Sequence, residues 1–215
     1  MRVRLLPYQI DQIVDKSRRN LHENILGVNI LDRHVQPIQK GVYFVDVRDP
    51  VGRLLVSKNT PALCLYDTGE IFCLHDKRIP LTEARIVHEF LHRAARRKRF
   101  FRYVSGIDIH PKHTFRNECI TEYLTMRIIG REYYEEINPA NRYLPFLHEI
   151  EELERHRGIE ALTKAYLAGN RRLFCIPKKR IIFSQLKENV RANFFSEEAL
   201  TIHIMEKGPA YYDAE

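Results

Sequence analysis

Apolar residues recur at helical spacing near the start of the chain and again through most of its second half. Between residues 8 and 26, apolar positions three or four apart predict one amphipathic helix that ends near Gly27. In the second half, the same spacing predicts further helices over residues 82–99, 115–129, 138–155, 159–168 and about 184–195. The pattern indicates that most of the chain beyond residue 77 is helical.

Short runs of β-branched and aromatic residues, separated by turn residues, fill the region between the first helix and the later ones. These runs cover residues 41–47, 53–57, 61–67 and 70–76. The last two runs predict a hairpin with Thr68-Gly69 as its two-residue turn, a register that places Cys64 opposite Cys73. The other face of the predicted hairpin carries Leu63, Leu65, Phe72 and Leu74.

Strands followed by helices are typical of an α+β domain, so we expect one domain with a small antiparallel or mixed sheet. Its predicted parts are an N-terminal helix, a sheet region and a helical region, over residues 1–27, 28–77 and 78–215.

The amino-acid composition excludes several classes of protein. The chain has 215 residues, of which 44% are hydrophobic and 29% are charged, and this balance excludes a mostly disordered chain, a collagen-like chain and a coiled-coil rod. We find no apolar run of about 18 residues and no secretory signal, so we expect no membrane span. The four cysteines form no CxxC motif, so we expect reduced thiols and a cytoplasmic location. These features are equally compatible with an effector or toxin that a specialised secretion system exports.

One short motif has the residue types and the spacing of a metal-binding site. Residues 88–92 read HEFLH, which fits the pattern HExxH. On a helix, His88 and His92 share one face, so both imidazoles can bind the same metal ion. Glu89 is rotated from His88 by about one hundred degrees, which places its carboxylate where it can take a proton from a metal-activated water.

A second predicted helix carries two carboxylates four residues apart. In the segment NECITEY, which covers residues 117–123, Glu118 and Glu122 lie on one helix face. Bare carboxylates at this spacing repel each other, and a nearby zinc–histidine centre would relieve the repulsion. His110 and His113, in the segment HPKH, are alternative third ligands, although the carboxylate pair explains more of the sequence.

Together, the segments HEFLH and NECITEY resemble the gluzincin family of zinc metallopeptidases, the thermolysin-like plan. They also resemble small bacterial proteins that carry HExxH and NEGxTEY. The likeness covers residues 81–130 strongly and implies a minimal zincin-like domain with one Zn²⁺ per chain. The ligands that it implies are His88, His92 and Glu118.

The same resemblance implies further roles. Glu89 would be the general base, and Glu122 would support a zinc-bound histidine from behind. Cys119 stands where the family usually has Gly or Ala. The hairpin over residues 61–76 would supply the edge strand that pairs with an extended substrate. A metzincin pattern, HExxHxxGxxH, does not fit the sequence after the second histidine.

Zinc hydrolases often add a Tyr, His or Arg side chain that stabilises the developing oxyanion. Tyr143 and His148, in the segment NRYLPFLHEI, are the candidates for this role. Their sequence context equally suits a core position for Tyr143 and a surface position for His148.

A dense run of cations follows the HEFLH motif and accounts for much of the net charge of +7. The run suits the exposed end of the active-site helix, where cations complement the helix dipole. It equally suits binding of nucleic-acid phosphates, with the interleaved aromatic residues stacking on bases. The cations are Arg93, Arg96, Arg97, Lys98, Arg99 and Arg102, with Phe100 and Phe101 among them.

The sequence therefore predicts a zinc-dependent endopeptidase that acts on protein or peptide substrates, acidic ones included. The alternative is a basic, nucleic-acid-associated protein with a structural or regulatory zinc site. A SprT-like protease linked to DNA would combine the two, since such proteins also carry HExxH and basic surfaces.

Overall fold

The computed structural model describes residues 2–33, 35–46, 56, 61–75, 82–109, 114–138, 143 and 146–174. The helices in these ranges are α1 Pro7–Ile13, α2 Glu83–Ala94, α3 Phe115–Ile129, α4 Arg131–Ile137, α5 Leu147–Arg157 and α6 Ile159–Ala168. The strands are β1 Arg2–Arg4, β2 Asn24–Ile25, β3 Val28–Asn29, β4 Val42–Asp46, β5 Ala62–Cys64, β6 Ile71–His75, β7 Arg97–Arg99 and β8 Arg102–Val104. Short 3-10 helices cover Lys16–His22, Leu31–Arg33 and Arg171–Phe174. This mixture confirms the predicted α+β class. The predicted helix near residues 184–195 and most of the predicted strand at 53–57 lie outside the described residues.

The main sheet has four strands in the order β1-β4-β6-β5. Strands β4 and β6 are parallel, whereas β1 and β5 run antiparallel to their neighbours and form the two edges. The sheet is therefore mixed, and its edge strand β5 is also the strand that packs against α2. This arrangement places an edge of the described sheet beside the helix that carries the HEFLH motif.

Strands β5 and β6 form the predicted hairpin, but the predicted register is wrong by two residues. The Leu65 N–H donates to the Glu70 carbonyl over 2.8 Å, so a four-residue loop replaces the predicted two-residue turn. Cys64 consequently lies opposite Ile71 and not opposite Cys73. Because the shift is even, each side chain keeps its predicted face.

The two faces of the hairpin contribute to different cores. Cys64 and Cys73 are both buried, with free thiols, on the face that packs on the helices. Phe72 and Leu74 lie on the other face, where they form a second cluster with Leu63 and Leu65. The predicted distribution of side chains between the faces is confirmed.

Helix α2 lies inside the fold, as its nearly continuous apolar surface predicts. Phe90 and Leu91 have no exposed surface. At the start of α2, Glu83 forms an ion pair with Arg18 at 2.9 Å, and the same guanidinium donates to the carbonyl of Ile129 at the end of α3 over 2.8 Å. Arg18 thus ties the start of α2 to the end of α3, so the two helices run antiparallel.

The N-terminal helix is shorter than the sequence predicts. The helical interpretation of residues 8–26 is wrong beyond Ile13, because a 3-10 helix and the β2–β3 hairpin follow. The N–H of Asp15 and the guanidinium of Arg18 both bind Glu83, and these contacts draw the chain towards α2. Tertiary contacts therefore override the helical spacing of the local sequence.

The predicted helix over residues 138–155 is also wrong in its bounds. Helix α4, which the sequence analysis did not predict, precedes it, and α5 begins only at Leu147. Pro145 in the sequence disfavours helical backbone at the residue before it, which is consistent with a late start. The predicted helices over 115–129 and 159–168 are confirmed.

The cationic run after the HEFLH motif is not the end of a helix. Helix α2 ends at Ala94, and the run continues as the antiparallel hairpin β7–β8. The prediction of a helix through residue 99 is therefore wrong. Arg and Lys are good helix formers, so the local sequence favours a helix over these residues. Strand β7 forms because it pairs with β8, and local preference does not reveal that pairing.

No helix in the described part of the chain is both long enough and apolar enough to cross a membrane.

Candidate metal centre

Helices α2 and α3 bring three side chains together as a group that could hold a metal ion. The Nε2 atoms of His88 and His92 lie 3.1 Å apart. A Glu118 oxygen lies 3.1 Å from Nε2 of His88, and the other lies 3.3 Å from Nε2 of His92. His92 is fully buried and His88 nearly so, while Glu118 is partly exposed.

These separations suit the coordination shell of a tetrahedral cation. Zinc binds imidazole nitrogen and carboxylate oxygen at about 2.0–2.2 Å, so neighbouring ligand atoms in a tetrahedral site lie about 3.3 Å apart. The 3.1 Å between the two Nε2 atoms matches this spacing, and each Nε2 atom has a different oxygen of Glu118 at 3.1 or 3.3 Å. With one ligand atom from each residue, the three atoms all lie within 4.8 Å of one another. Two imidazoles and one carboxylate are also a donor set that zinc accepts with a fourth position left for water.

Hydrogen bonds behind His92 turn its Nε2 lone pair towards the cluster. The Ser105 hydroxyl donates to the carbonyl of His92 over 2.6 Å, so it acts as an acceptor for Nδ1–H, 3.3 Å away. The Tyr166 oxygen lies 3.4 Å from the same Nδ1 atom, and its hydroxyl is shared with Thr121 over 2.8 Å. With the hydrogen on Nδ1, the lone pair of His92 lies on Nε2 and faces Glu118.

Glu122 places a carboxylate behind His88. Its Oε1 lies 3.3 Å from Nδ1 of His88, and its Oε2 accepts a hydrogen bond of 2.6 Å from the hydroxyl of Tyr134. A carboxylate beside Nδ1 favours the hydrogen on that nitrogen, which leaves Nε2 for a metal. Two lone pairs and a carboxylate would then converge with nothing positive between them, and a bound cation removes that repulsion.

The carboxylates around His88 favour its charged form when no metal is bound. Burial lowers the pKa of His88, but the neighbouring carboxylates of Glu122 and Glu118 raise it more, so the pKa lies well above its usual range. Charged His88 can donate from Nε2 to Glu118, which satisfies the cluster in the absence of a metal. A metal must therefore displace a proton when it binds.

Glu89 follows His88 on α2 and is buried, with 7% of its surface exposed. Its Oε2 atom is buried and has no hydrogen-bond partner among the described residues. A buried carboxylate oxygen without a partner is costly unless water or a ligand satisfies it. Glu89 thus has acceptor capacity left for a water molecule or a substrate.

Asn117 and Gly106 connect the β7–β8 hairpin to helix α3, which carries Glu118. The Asn117 side chain accepts a hydrogen bond of 2.9 Å from the N–H of Ile107. Gly106 has a φ of +55°, and a Cβ atom there would lie 2.1 Å from the Asn117 side-chain oxygen and 2.4 Å from the Tyr166 ring. Only glycine fits this close approach, so the loop after the hairpin is held tightly against α3 and α6.

The predicted oxyanion residues are not members of the group of three side chains that could hold a metal ion. Tyr143 is buried, with its ring 5.4 Å from the ring of Phe115. His148 is exposed on α5. Their role in stabilising an oxyanion stays a prediction. The alternative ligands His110 and His113 lie outside the described residues.

Half of the predicted cation run is committed to internal contacts. The Arg93 guanidinium is buried and donates to the carbonyl of Lys40, and burial lowers its pKa to about 10. Arg96 donates to the carbonyl of Asp67, and Arg97 donates to two carbonyls of the loop after β8. The exposed cations are Lys98, Arg99 and Arg102. The nucleic-acid role of the run stays a prediction.

Several residues that support the cluster were not found from the sequence. Ser105, Tyr134 and Tyr166 reach it through contacts between elements far apart in the chain, and no local spacing marks them. Tyr66, in the loop after β5, also lies near the site, with its ring 6.1 Å from that of His92. Burial raises the pKa of Tyr66, and nearby Glu118 raises it further, so its hydroxyl stays protonated.

Comparisons with models of known protein families, with curated proteins and with solved structures find no match for this chain.

We expect Tyr134→Phe to weaken metal binding without removing it. The substitution keeps the buried ring and deletes the 2.6 Å hydrogen bond to Glu122, so the carboxylate is less firmly placed behind His88. The loss should be about tenfold in zinc affinity, measured by competition with a chromophoric chelator. Tyr133→Phe is the matched control, because Tyr133 is 40% exposed on the same helix. Equal affinities for the two variants would contradict the positioning role.

Proposed function

We propose that this protein is a zinc-dependent endopeptidase of the gluzincin type. The observation that carries the proposal is the convergence of two imidazole nitrogens and one carboxylate at separations of 3.1–3.3 Å, with Glu89 on the same helix. Supporting contacts behind both histidines keep these atoms directed at one point. The resemblance of HEFLH and NECITEY to gluzincins implies the same ligand residues and the same general base.

The proposed reaction is hydrolysis of a peptide bond. Zinc, when bound, polarises a water molecule and the substrate carbonyl. Glu89 takes a proton from the attacking water and delivers it to the leaving amine, because its Oε2 atom has acceptor capacity that no described residue uses. His88, His92 and Glu118 hold the cation, and Glu122 keeps His88 in the tautomer that allows it.

The edge strand β5 is the proposed binding place for an extended substrate. Strand β5 pairs with β6 on one side, and no described strand pairs with its other side. It packs against α2, so a chain added at this edge would pass close to the cluster. Main-chain hydrogen bonds at a sheet edge recognise an extended peptide with little dependence on its sequence.

A comparison of peptide termini tests the proposed activity. A lysate is incubated with zinc-loaded protein or with zinc-loaded Glu89→Gln protein, and new N-termini are identified by mass spectrometry. We expect termini that appear only with the unmodified protein and disappear when a zinc chelator is added. If the zinc-loaded protein produces no more termini than the Glu89→Gln variant, the peptidase proposal fails, whatever the metal content.

We expect zinc affinity to rise with pH. The neighbouring carboxylates raise the pKa of His88, so zinc competes with a proton at any pH below that pKa. The apparent affinity should increase by up to about tenfold per pH unit until the pKa of His88 is reached. Zinc titrations between about pH 6 and 8 measure this slope. Glu122→Gln removes a carboxylate that raises this pKa, so the slope should flatten at neutral pH. A slope of zero in the unmodified protein would contradict the assignment.

A further inference from the structure

The turn of the β7–β8 hairpin exposes two adjacent phenylalanines. Arg99 and Arg102 form the last pair of the hairpin, and Phe100 and Phe101 are the two residues of its turn. Phe100 is 83% exposed and Phe101 is 99% exposed, which makes them the most exposed large apolar residues in the described part of the chain. Exposure of two adjacent rings keeps a large apolar area in water, and such patches mark interaction sites.

The backbone of the turn gives a second indication. Phe100 has a φ of +53°, in the left-handed region that glycine and asparagine adopt readily and aromatic residues rarely adopt. Glycine or asparagine would suit this turn better and would remove the exposed ring. The turn therefore retains an aromatic ring against its backbone preference, which favours a role for the ring outside the folded chain.

The hairpin is anchored at its base and cationic near its tip. Arg97 donates to the carbonyls of Gly106 and Asp108, and Val104 is buried. These contacts hold the base of the hairpin to the loop that precedes α3. Its end thus projects from a fixed base.

The remaining cations of the hairpin lie within two residues of the two rings in the sequence. Lys98, Arg99 and Arg102 are exposed, and none of their side chains makes a hydrogen bond or an ion pair with the described residues. The hairpin tip is the segment that comprises these three cations and the two phenylalanines. It combines an apolar end with three positive charges one or two residues behind it.

We propose that the hairpin tip binds the surface of a membrane that contains anionic lipids. The two rings would enter the boundary between headgroups and acyl chains, and the three cations would lie at the depth of the lipid phosphates. The order along the hairpin, apolar at the end and cationic behind, is the order that a bilayer surface requires. Binding is peripheral and reversible, because only two residues enter the apolar layer.

The geometry fits a bilayer better than a single-stranded nucleic acid. Proteins that stack bases present aromatic rings along a positively charged groove that follows the backbone of the strand. Here the rings lie at the end of a two-stranded hairpin, and neither ring contacts another ring among the described residues. The charge complementarity is with phosphate in both cases, but a projecting apolar end matches the lipid interior better than it matches a line of stacked bases. The proposal needs neither zinc nor peptidase activity and stands apart from the proposed function.

Co-sedimentation of the full chain with vesicles tests the proposal. Vesicles contain phosphatidylcholine alone or with about 30% phosphatidylserine. We expect binding to the anionic vesicles and little binding to the neutral ones. Phe100→Gly combined with Phe101→Ser should lower the partition coefficient by roughly tenfold for each ring that was buried in the bilayer. Glycine suits the positive φ at residue 100, so this variant keeps the hairpin fold.

Two further variants complete the vesicle experiment. Replacing the three exposed cations of the hairpin tip by Gln should lower binding by about fivefold for each charge. A control variant, Tyr8→Ser combined with Leu31→Ser, removes two other exposed apolar side chains and should bind within about twofold of the unmodified protein. Equal losses in the control and in the double phenylalanine variant would overturn the proposal.

A single fluorophore localises the contact. The chain contains no tryptophan, so Phe101→Trp creates a reporter at the hairpin tip alone. We expect its emission to shift to shorter wavelength with anionic vesicles and to stay unchanged with a single-stranded oligonucleotide. An unchanged emission with vesicles, or a shift with the oligonucleotide and not with vesicles, would overturn the membrane assignment. The second result would favour nucleic acid as the partner.

Discussion

Replacing Glu89 by Gln should leave zinc bound and remove nearly all peptide hydrolysis. Glu89 is buried next to His88 on α2, and its Oε2 atom accepts no hydrogen bond from the described residues. Glutamine has the same size and fills the same space, but it cannot take a proton from water. General base catalysis contributes about 10²–10⁴ in rate, so turnover should fall by at least this factor.

The expected result needs zinc content and turnover measured on the same samples. Glu132→Gln, on the exposed face of α4, is the matched control and should keep both properties. A Glu89→Gln protein with normal zinc and normal turnover would show that another group acts as the base. A protein that loses zinc together with turnover would place Glu89 among the ligands instead.

Replacing Glu118 by Ala should have the largest effect on zinc affinity of any substitution on α3. Glu118 is the side chain whose oxygens lie 3.1 and 3.3 Å from the two Nε2 atoms, so the variant removes a proposed metal ligand. Glu122→Ala should be intermediate, with zinc held about ten- to a hundredfold more weakly, because it removes only the contact behind His88. Competition with a chelator of known affinity measures both.

The order of the two variants in zinc affinity distinguishes the proposed metal ligand from the carboxylate that lies behind His88. Glu135→Ala, at an exposed position of α4, is the control for loss of a carboxylate and should bind zinc normally. If Glu122→Ala loses more zinc than Glu118→Ala, the two roles are exchanged. If both variants bind zinc like the unmodified protein, the two carboxylates belong to a helix face with no metal function.

The sequence predicted the cluster residues because their arrangement depends on local spacing. His88 and His92 share a helix face whatever α2 packs against, and the same holds for Glu118 and Glu122 on α3. Ser105, Tyr134 and Tyr166, which contact these side chains, could not be predicted in this way. Tyr166 lies 74 positions from His92 in the chain, and only the packing of α6 brings them together.

Strand pairing shows the same division between local and distant information. Alternation along residues 61–76 was sufficient to assign each side chain to its face, because a face depends only on odd or even position. The register depends on the loop, where a 2.8 Å bond between Leu65 and Glu70 leaves four residues unpaired instead of two. Loop length is a property of the folded hairpin that the pattern of Thr68-Gly69 does not specify.

The β7–β8 hairpin was missed for a reason that bears on its proposed role. Hairpin turns are normally recognised by glycine or asparagine at positions of positive φ, and here that position is Phe100. The adjacent Arg and Lys residues favour a helix by local preference. A segment whose sequence contradicts its own conformation is expected at functional sites, and the exposed rings are consistent with that expectation.

Zinc content measured by mass spectrometry on protein purified without added metal tests the central claim most directly. The unmodified protein should contain about one zinc ion per chain, as expected for a single tetrahedral centre. His88→Ala should contain little zinc, because it removes one of the two Nε2 atoms that lie 3.1 Å apart. His156→Ala, an exposed histidine near the end of α5, should contain as much zinc as the unmodified protein. Equal zinc content in His88→Ala and His156→Ala would contradict the metal centre and the function proposed from it.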